Sequence, residues 1–366
     1  MKKTPLHDRH VARKARMGEF GGWDMPIQYA GILAEHEQTR TKAAVFDICH
    51  MGEFELSGPT AEADLDRLLT CRVAGMEIGR VRYGYLPNEA GGTLDDLTVY
   101  RLEPERFMLV TNAGTAAKDA TWIRRHLSAQ TRFEDVSQRL AKLDVQGPRS
   151  RPAMEKILDR ALPEIGYFRA VEIRLAGVPV LLSRTGYTGE WGYELYFAAE
   201  EAGRLWDLLL TSPEIEPAGL GARDVLRLEM GYPLYGHELS ESRSAVTVSR
   251  GAFIDWSKDF IGKAGAERER DRPTERLVGL TFASRRAARR GDAVFAGATR
   301  VGEVTGGSFS PALGRAVALA FVRADRAEAG STLETEIRGR RFPARVVEPP
   351  FYRGGSARRP PNEQSA

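Results

Sequence analysis

Little in this chain suits metal chemistry or a disulfide frame. Its 366 residues hold two cysteines, Cys49 and Cys71, and a single possible pair is a poor framework for a chain of this length. Both read as reduced core thiols. The six histidines form no H-x-H or H-x-x-x-H pair and lie near no cysteine pair, which argues against a zinc site. No apolar run approaches the roughly 18 residues of a membrane span. Pro5, His7, Asp8 and Arg9 interrupt the basic N-terminus where a secretory signal carries its apolar core, so the expected location is the cytoplasm. There is no G-x-S-x-G and no Walker loop, and "GLGARD" from Gly219 is half of a dinucleotide fingerprint that ends in Asp224. The net charge of +3 is mild, and the arginine groups "SRRAARRGD" and "GGSARRPP" contain no aromatic residue, so no nucleic-acid surface is expected.

The chain is long enough for more than one packed unit. Helical spacing runs from about Gly31 to Ala44, after which "VFDICHMGEFELSG" alternates like one strand that ends at Gly58 and Pro59. Helix "TAEADLDRLLTC", strand "RFMLVTNAG", helix "TAAKDATWIRRHL" and strand "RLAKLDVQGP" follow. Then come the paired strands of "VPVLLSRTGYTGEWGYELYF", a helix in "AEEAGRLWDLLL" and one opening at "GLGARD". Strands with covering helices point to an α+β fold. After the charged stretch 265–276 the character changes to short strands with glycine turns, the pattern of a small all-β, barrel-like domain. The expected organisation is a first region over 1–268, a barrel over 274–352, and a mobile tail over 354–366, too polar to pack.

The chemistry concentrates in a few polar residues set where the pattern predicts burial. In "TLDDLTVY" one strand face carries Asp95, Leu97 and Val99, and the other Asp96, Thr98 and Tyr100. Asp95 is placed to cap the turn after Gly91 and Gly92, and Asp96 to face either a polar pocket or solvent. Glu194 in "WGYELYF" stands on the face opposite Tyr193, Leu195 and Phe197. Such a carboxylate accepts two parallel hydrogen bonds from a flat amidine-like edge, although pattern alone favours a wet strand face. Arg223 opens a helix, where it can hold a ligand carboxylate or pair with a neighbour. Tyr83, Tyr85, Tyr187 and Tyr232 offer ring faces for stacking, or for a core.

Taken together, "TPLHDRHVARKARMGEFGGWDMPIQY", "VFDICHMGEFELSGP", "GGTLDDLTVY", "LDVQGP", "SRTGYTGEWGYEL", "AGLGARDVLRLEMGYPLYG", "KDFIGKAG", "GGSFSPALGRAVALAFV" and "PPFYRG" resemble the glycine cleavage T-protein (aminomethyltransferase) family. These blocks run in family order from Thr4 to about Gly354. The resemblance implies a cloverleaf of antiparallel sheets with helices around a folate site, followed by a C-terminal β-barrel. It implies transfer of an aminomethyl group from the lipoyl arm of H protein to tetrahydrofolate, giving 5,10-methylenetetrahydrofolate, ammonia and dihydrolipoyl H protein. Asp96 matches the family's essential acid, Glu194 its pterin-binding glutamate, and Arg223 the arginine that holds the glutamate tail. Met51, Tyr83, Asn112, Tyr187 and Tyr232 match pocket-lining positions, and Arg353 matches the pocket's outer edge.

The chain departs from the family pattern at Cys49, Gly306 and Ala312, and in "SESRSAVTVSRGAFIDWSKDF" between Ser240 and Phe260, where a difference is expected in partner docking or substrate preference rather than at the folate residues. The alternative activity is a folate-dependent demethylase acting on a methylated amine or sulfonium compound. A Lys-Gly-Cys motif like that of iron-sulfur maturation relatives is absent, since Ala264 and Gly265 follow Lys263.

Overall fold

The computed structural model describes residues 1–249 and 251–360. The acid pair lies on the strand Thr93–Glu103, second in a five-stranded antiparallel sheet ordered 81–87, 93–103, 106–111, 52–57, 132–135. One face of this sheet, with Leu97, Val99, Phe54 and Leu109, packs on the helices Ala61–Leu68 and Ala116–Arg125 through Leu65 and Ile123. The other face, with Tyr100, Met108 and Val110, meets Tyr196 of a second sheet. That sheet has six strands in the order 170–175, 178–183, 192–198, 140–146, 43–47, 215–217, and only the last pairing is parallel. Its far face buries Leu143, Val145, Leu195 and Phe197 against Trp206 of the helix Ala202–Leu209. Strand alternation thus sends Asp96 and Glu194 toward the space between the sheets, and their neighbours into the helix-covered cores.

The run 45–58 is not one strand. Ala43–Asp47 joins the six-stranded sheet and Gly52–Ser57 the five-stranded one, with a turn at residues 48–51 between them. Asp47 makes the break. Its buried carboxylate accepts the backbone N–H of Cys49 at 2.9 Å, the Thr4 hydroxyl at 2.6 Å and His10 Nε2 at 2.8 Å. Side-chain bonding to a backbone N–H two residues on competes with the sheet ladder and turns the chain.

The six strands from Glu275 to Val347 close into a barrel ordered 275–282, 315–323, 299–310, 293–296, 332–337, 340–347, around Leu280, Val304, Ala318 and Val346. Part of the preceding charged stretch is helical, Lys263–Asp271. Glu229, at the end of the helix Leu220–Met230, ties barrel to sheets. Its buried carboxylate accepts from Ser310 at 2.5 Å, His36 at 2.9 Å and Arg40 at 2.7 Å. The expectation of an unpacked tail from residue 354 does not hold at Ser356 and Ala357. Both are buried, and the Ser356 hydroxyl donates to Glu190 at 2.5 Å and accepts the Trp191 N–H at 2.8 Å. A small hydroxyl residue between carboxylate and backbone donor packs despite the polar composition around it. The last part of the expected tail, residues 361–366, lies outside the described residues.

Candidate functional site

The loop before Thr93 requires glycine. Gly91 has φ +90°, and a Cβ at Gly92 would overlap the carbonyl oxygen of Glu241. The close turn delivers Asp95 and Asp96 to opposite faces. Asp95 is fully buried and does not cap that turn. It accepts instead from the Asn112 N–H at 3.0 Å, the Asn112 side-chain amide at 2.8 Å and the Thr115 hydroxyl at 2.8 Å, so it fastens the start of the helix Ala116–Arg125. Distance along the chain hid these partners. Asp96 is half-buried and accepts from the Tyr83 hydroxyl at 2.9 Å and the Asn112 amide at 2.9 Å. Burial pushes its carboxyl up to about 7, with the Asp95 charge adding to the rise, while donation by Tyr83 and Asn112 works against it. A carboxylate so placed gains and loses a proton near neutral pH, as a general acid or base must.

Glu194 occupies a second polar nest. It lies directly across the sheet from Asp144 on one side and Ser183 on the other. Oε2 accepts the Thr185 hydroxyl at 2.6 Å, and Oε1 lies 3.3 Å from the Lys142 ammonium. Burial raises its proton affinity, but Lys142, the Thr185 hydroxyl and Arg223 outweigh that and leave its carboxyl below the ordinary value. Tyr100, on the same strand face as Asp96, reaches Glu194 Oε2 at 3.4 Å. Acid and nest therefore share one wall. Met51 is here too, its sulfur 3.5 Å from the Lys142 ammonium. Burial lifts Asp144 to about 6 even though the Arg223 guanidinium pairs with it.

Tyr83, whose hydroxyl is bonded to Asp96, lines a cavity of about 980 Å³ together with Tyr187, Tyr232 and Gly186, while Asp96, Asn112, Met51 and Glu194 stand behind that lining. Tyr187 and Tyr232 stack with centroids 5.7 Å apart at 25°. Val248, Ser249 and residues 252–256 supply another wall, with Phe253 and Trp256 among them, so the divergent stretch does border the pocket. Phe253 meets Tyr83 edge-on at 4.9 Å. Arg223 and Arg353, like Asp96 and Glu194, are not among the residues lining the cavity. Arg223 packs behind Tyr187, its guanidinium 5.1 Å from that ring and paired with Asp144 at the Glu194 end. Arg353 lines a separate groove of about 530 Å³ on the barrel, and Arg358 reaches the cavity instead. The chain passes from groove to cavity wall over residues 347–350, so motif order did not distinguish them.

The sequence reading missed Lys142 and Asp119. Lys142 is a charged residue inside a strand buried on both faces, and Asp119 falls within the buried stripe of its helix with Ala120 and Ile123. Both positions were visible as charges at core positions. Among the described residues no group of His, Cys, Asp and Glu could hold a metal ion, and no helix is long and apolar enough to cross a membrane.

Two facing sheets, an aromatic cavity of ring-binding size and an acid with a near-neutral proton define a group-transfer enzyme acting on a flat, polar ligand. A family model described as "GCVT N-terminal domain" matches residues 6–258, and one described as "Glycine cleavage T-protein C-terminal barrel domain" matches residues 275–353. The chain belongs to the glycine cleavage T-protein family of folate-dependent aminomethyltransferases. It is 41% identical over 360 residues to the "Aminomethyltransferase" of Geobacillus kaustophilus, covering 96% of this chain and 99% of that one. It is 39% identical over 363 residues to the protein of that name from Thermotoga petrophila, covering 98% and 100%. The crystal structure of glycine cleavage system aminomethyltransferase T from Bartonella henselae superposes with a TM-score of 0.91 at 31% identity, covering 97% of this chain and 99% of that one.

Proposed function

We propose that this chain transfers the aminomethyl group carried on the lipoyl arm of H protein to tetrahydrofolate, with Asp96 as the working acid. The observation that carries the reading is the half-buried Asp96 carboxyl beside the tyrosine cavity, with a proton affinity raised to about pH 7.

The residues present fit a folate. The cavity is large enough and its tyrosines offer flat apolar faces, while Glu194 supplies a buried carboxylate held ionised by Lys142. When bound, tetrahydrofolate supplies the amines that accept the one-carbon unit. Tyr187 and Tyr232, stacked on each other, would flank the ring and exclude water. Glu194 uses its remaining acceptor sites for the amidine-like edge. Asp96 orients the attacking amine, stabilises positive charge that develops as ammonia departs, and takes the proton the amine loses. The carbon leaves sulfur and nitrogen for the two folate nitrogens; the sulfur departs as a thiol, and ammonia is released. Asn112, Met51 and Tyr83 hold the acid and the nest in place. Arg223 braces the Glu194 end through Asp144, and Arg80, Arg82 and Arg358 at the cavity wall are better placed for the glutamate tail. Arg353, on the barrel groove, has no part in this reading. Cytoplasmic residence belongs to the same reading, supported by two buried, unpaired thiols in separate cores.

Mixing the purified protein with aminomethylated H protein and tetrahydrofolate tests it. Methylenetetrahydrofolate and ammonia should form together. Folate binding without ammonia release, but with demethylation of sarcosine or dimethylglycine, would refute it.

A further inference from the structure

A third carboxyl group stands behind the acid pair. Asp119, in the first turn of the helix Ala116–Arg125, is fully buried, and neither carboxyl oxygen has a hydrogen-bond partner; the nearby Thr115 hydroxyl, which works against its protonation, is already donated to Asp95 at 2.8 Å. An ionised carboxylate there would be left without a hydrogen bond, at a large cost. Asp119 lies one helical turn after Thr115, its N–H 2.9 Å from the Thr115 carbonyl, and Thr115 is bonded to Asp95, so the two carboxyls stand on the same side and meet. Two carboxyls hydrogen-bond only when one carries the proton. Asp95 already accepts three donors, two from Asn112 and one from Thr115. The proton therefore belongs on Asp119, whose charge would be unsolvated. The helix N-terminus favours an anion there too weakly to offset that cost. The Lys118 charge also works against protonation, but its ammonium is held by the Tyr235 hydroxyl and Glu241 at 2.8 Å each, and burial and Asp95 outweigh it.

We propose that Asp119 is a positioning residue for the transfer reaction: a neutral carboxylic acid whose hydrogen bond keeps Asp95 ionised and in place, so that Asp95 and Asn112 together hold Asp96 against Tyr83 of the cavity wall. The proposal rests on the assignment of Asp96 as the working acid. Burial first, and then the Asp95 charge, push Asp119 far above the carboxylate range. The groups facing the three acids are Tyr83 and Tyr85 from the strand Val81–Pro87, Asn112 and Thr115 before the helix, Lys118 on it, and Tyr187 and Tyr235 from neighbouring loops. Of these only Lys118 is a cation, so the cluster cannot hold three negative charges at neutral pH.

The test compares Asp119→Asn, which keeps an N–H donor toward Asp95, with Asp119→Leu, which does not. In the full chain, Asp119→Asn should stay within about threefold of the parent kcat and keep its pH inflection. Asp119→Leu should lose roughly tenfold or more in kcat with folate KM within about threefold. Its inflection should move to lower pH, because an Asp95 that takes up a proton no longer repels charge on Asp96. Identical behaviour of the two variants, or an unmoved inflection in Asp119→Leu, would contradict the proposal. Infrared spectroscopy of the resting protein labelled with ¹³C-aspartate gives a readout independent of turnover and of whether Asp119→Leu folds. A protonated-carboxyl band should persist above neutral pH and vanish in Asp119→Asn; its absence from the parent protein would overturn the proposal. If Asp96→Asn leaves turnover intact, the Asp96 assignment falls, while the band still decides where the proton sits.

Discussion

The side-chain amide of Asn112 bridges the two acids, donating to Asp95 Oδ1 at 2.8 Å and to Asp96 Oδ1 at 2.9 Å. One residue thus couples the carboxylate that anchors a helix to the one bonded to Tyr83 of the cavity wall. The bridge sets both the position and the proton affinity of Asp96, since donation to a carboxylate favours its ionised form.

Replacing Asn112 with Leu removes the donors at similar volume. A hydrogen bond to a charged group contributes about 1.5–3 kcal/mol, so kcat should fall roughly tenfold to a hundredfold. The inflection of the pH–rate profile should move up, because Asp96 loses a donor that stabilises its charge. Steady-state rates across the neutral range check both.

The Asp96 folded-state value, about 7, lies above the ordinary carboxylate value of 3.8. Its contribution to stability is therefore fully present below about pH 4 and lost as pH rises through about 7. Asp96→Asn should melt higher than the parent at pH 8, with the advantage shrinking toward pH 5, as thermal scans at the two pH values will show.

Lys142→Met should strip Glu194 of its ammonium partner while filling a similar volume opposite Tyr196 across the sheet. The carboxyl then rises toward its neutral form, and folate binding should weaken at least about tenfold with a smaller change in kcat. Equilibrium titration with tetrahydrofolate separates the two effects.

Gly306 faces an unfilled polar corner. A Cβ there would lie 3.3 Å from Arg227 Nη2, 3.7 Å from Glu238 Oε1 and 3.9 Å from His237 Nδ1. The last two atoms are buried without hydrogen-bond partners. Gly306→Ser should satisfy one of them and add about 1 kcal/mol, seen as a melting midpoint higher by roughly 1–2 °C.

The barrel strands and the helix Leu220–Met230 were legible because each rests on local periodicity and glycine stops, whereas alternation alone left Asp96 and Glu194 free to face solvent. The strand break at Asp47 was not, since His10, 37 residues away, and Thr4, 43 residues away, hold the carboxylate that makes the turn. Asp95 was misplaced for the same reason: its partners, Asn112 and Thr115, lie on the far side of the next strand. Arg223 and Arg353 were placed by motif order, which carries no information about which side of a wall a long side chain takes.

The most direct measurement is single-turnover transfer by Asp96→Asn, with aminomethylated H protein and tetrahydrofolate, alongside tetrahydrofolate affinity. A general base and charge stabiliser contributes roughly 10²–10⁴ in rate, so transfer should slow by that factor while folate affinity stays within about threefold. Near-normal transfer would contradict the account.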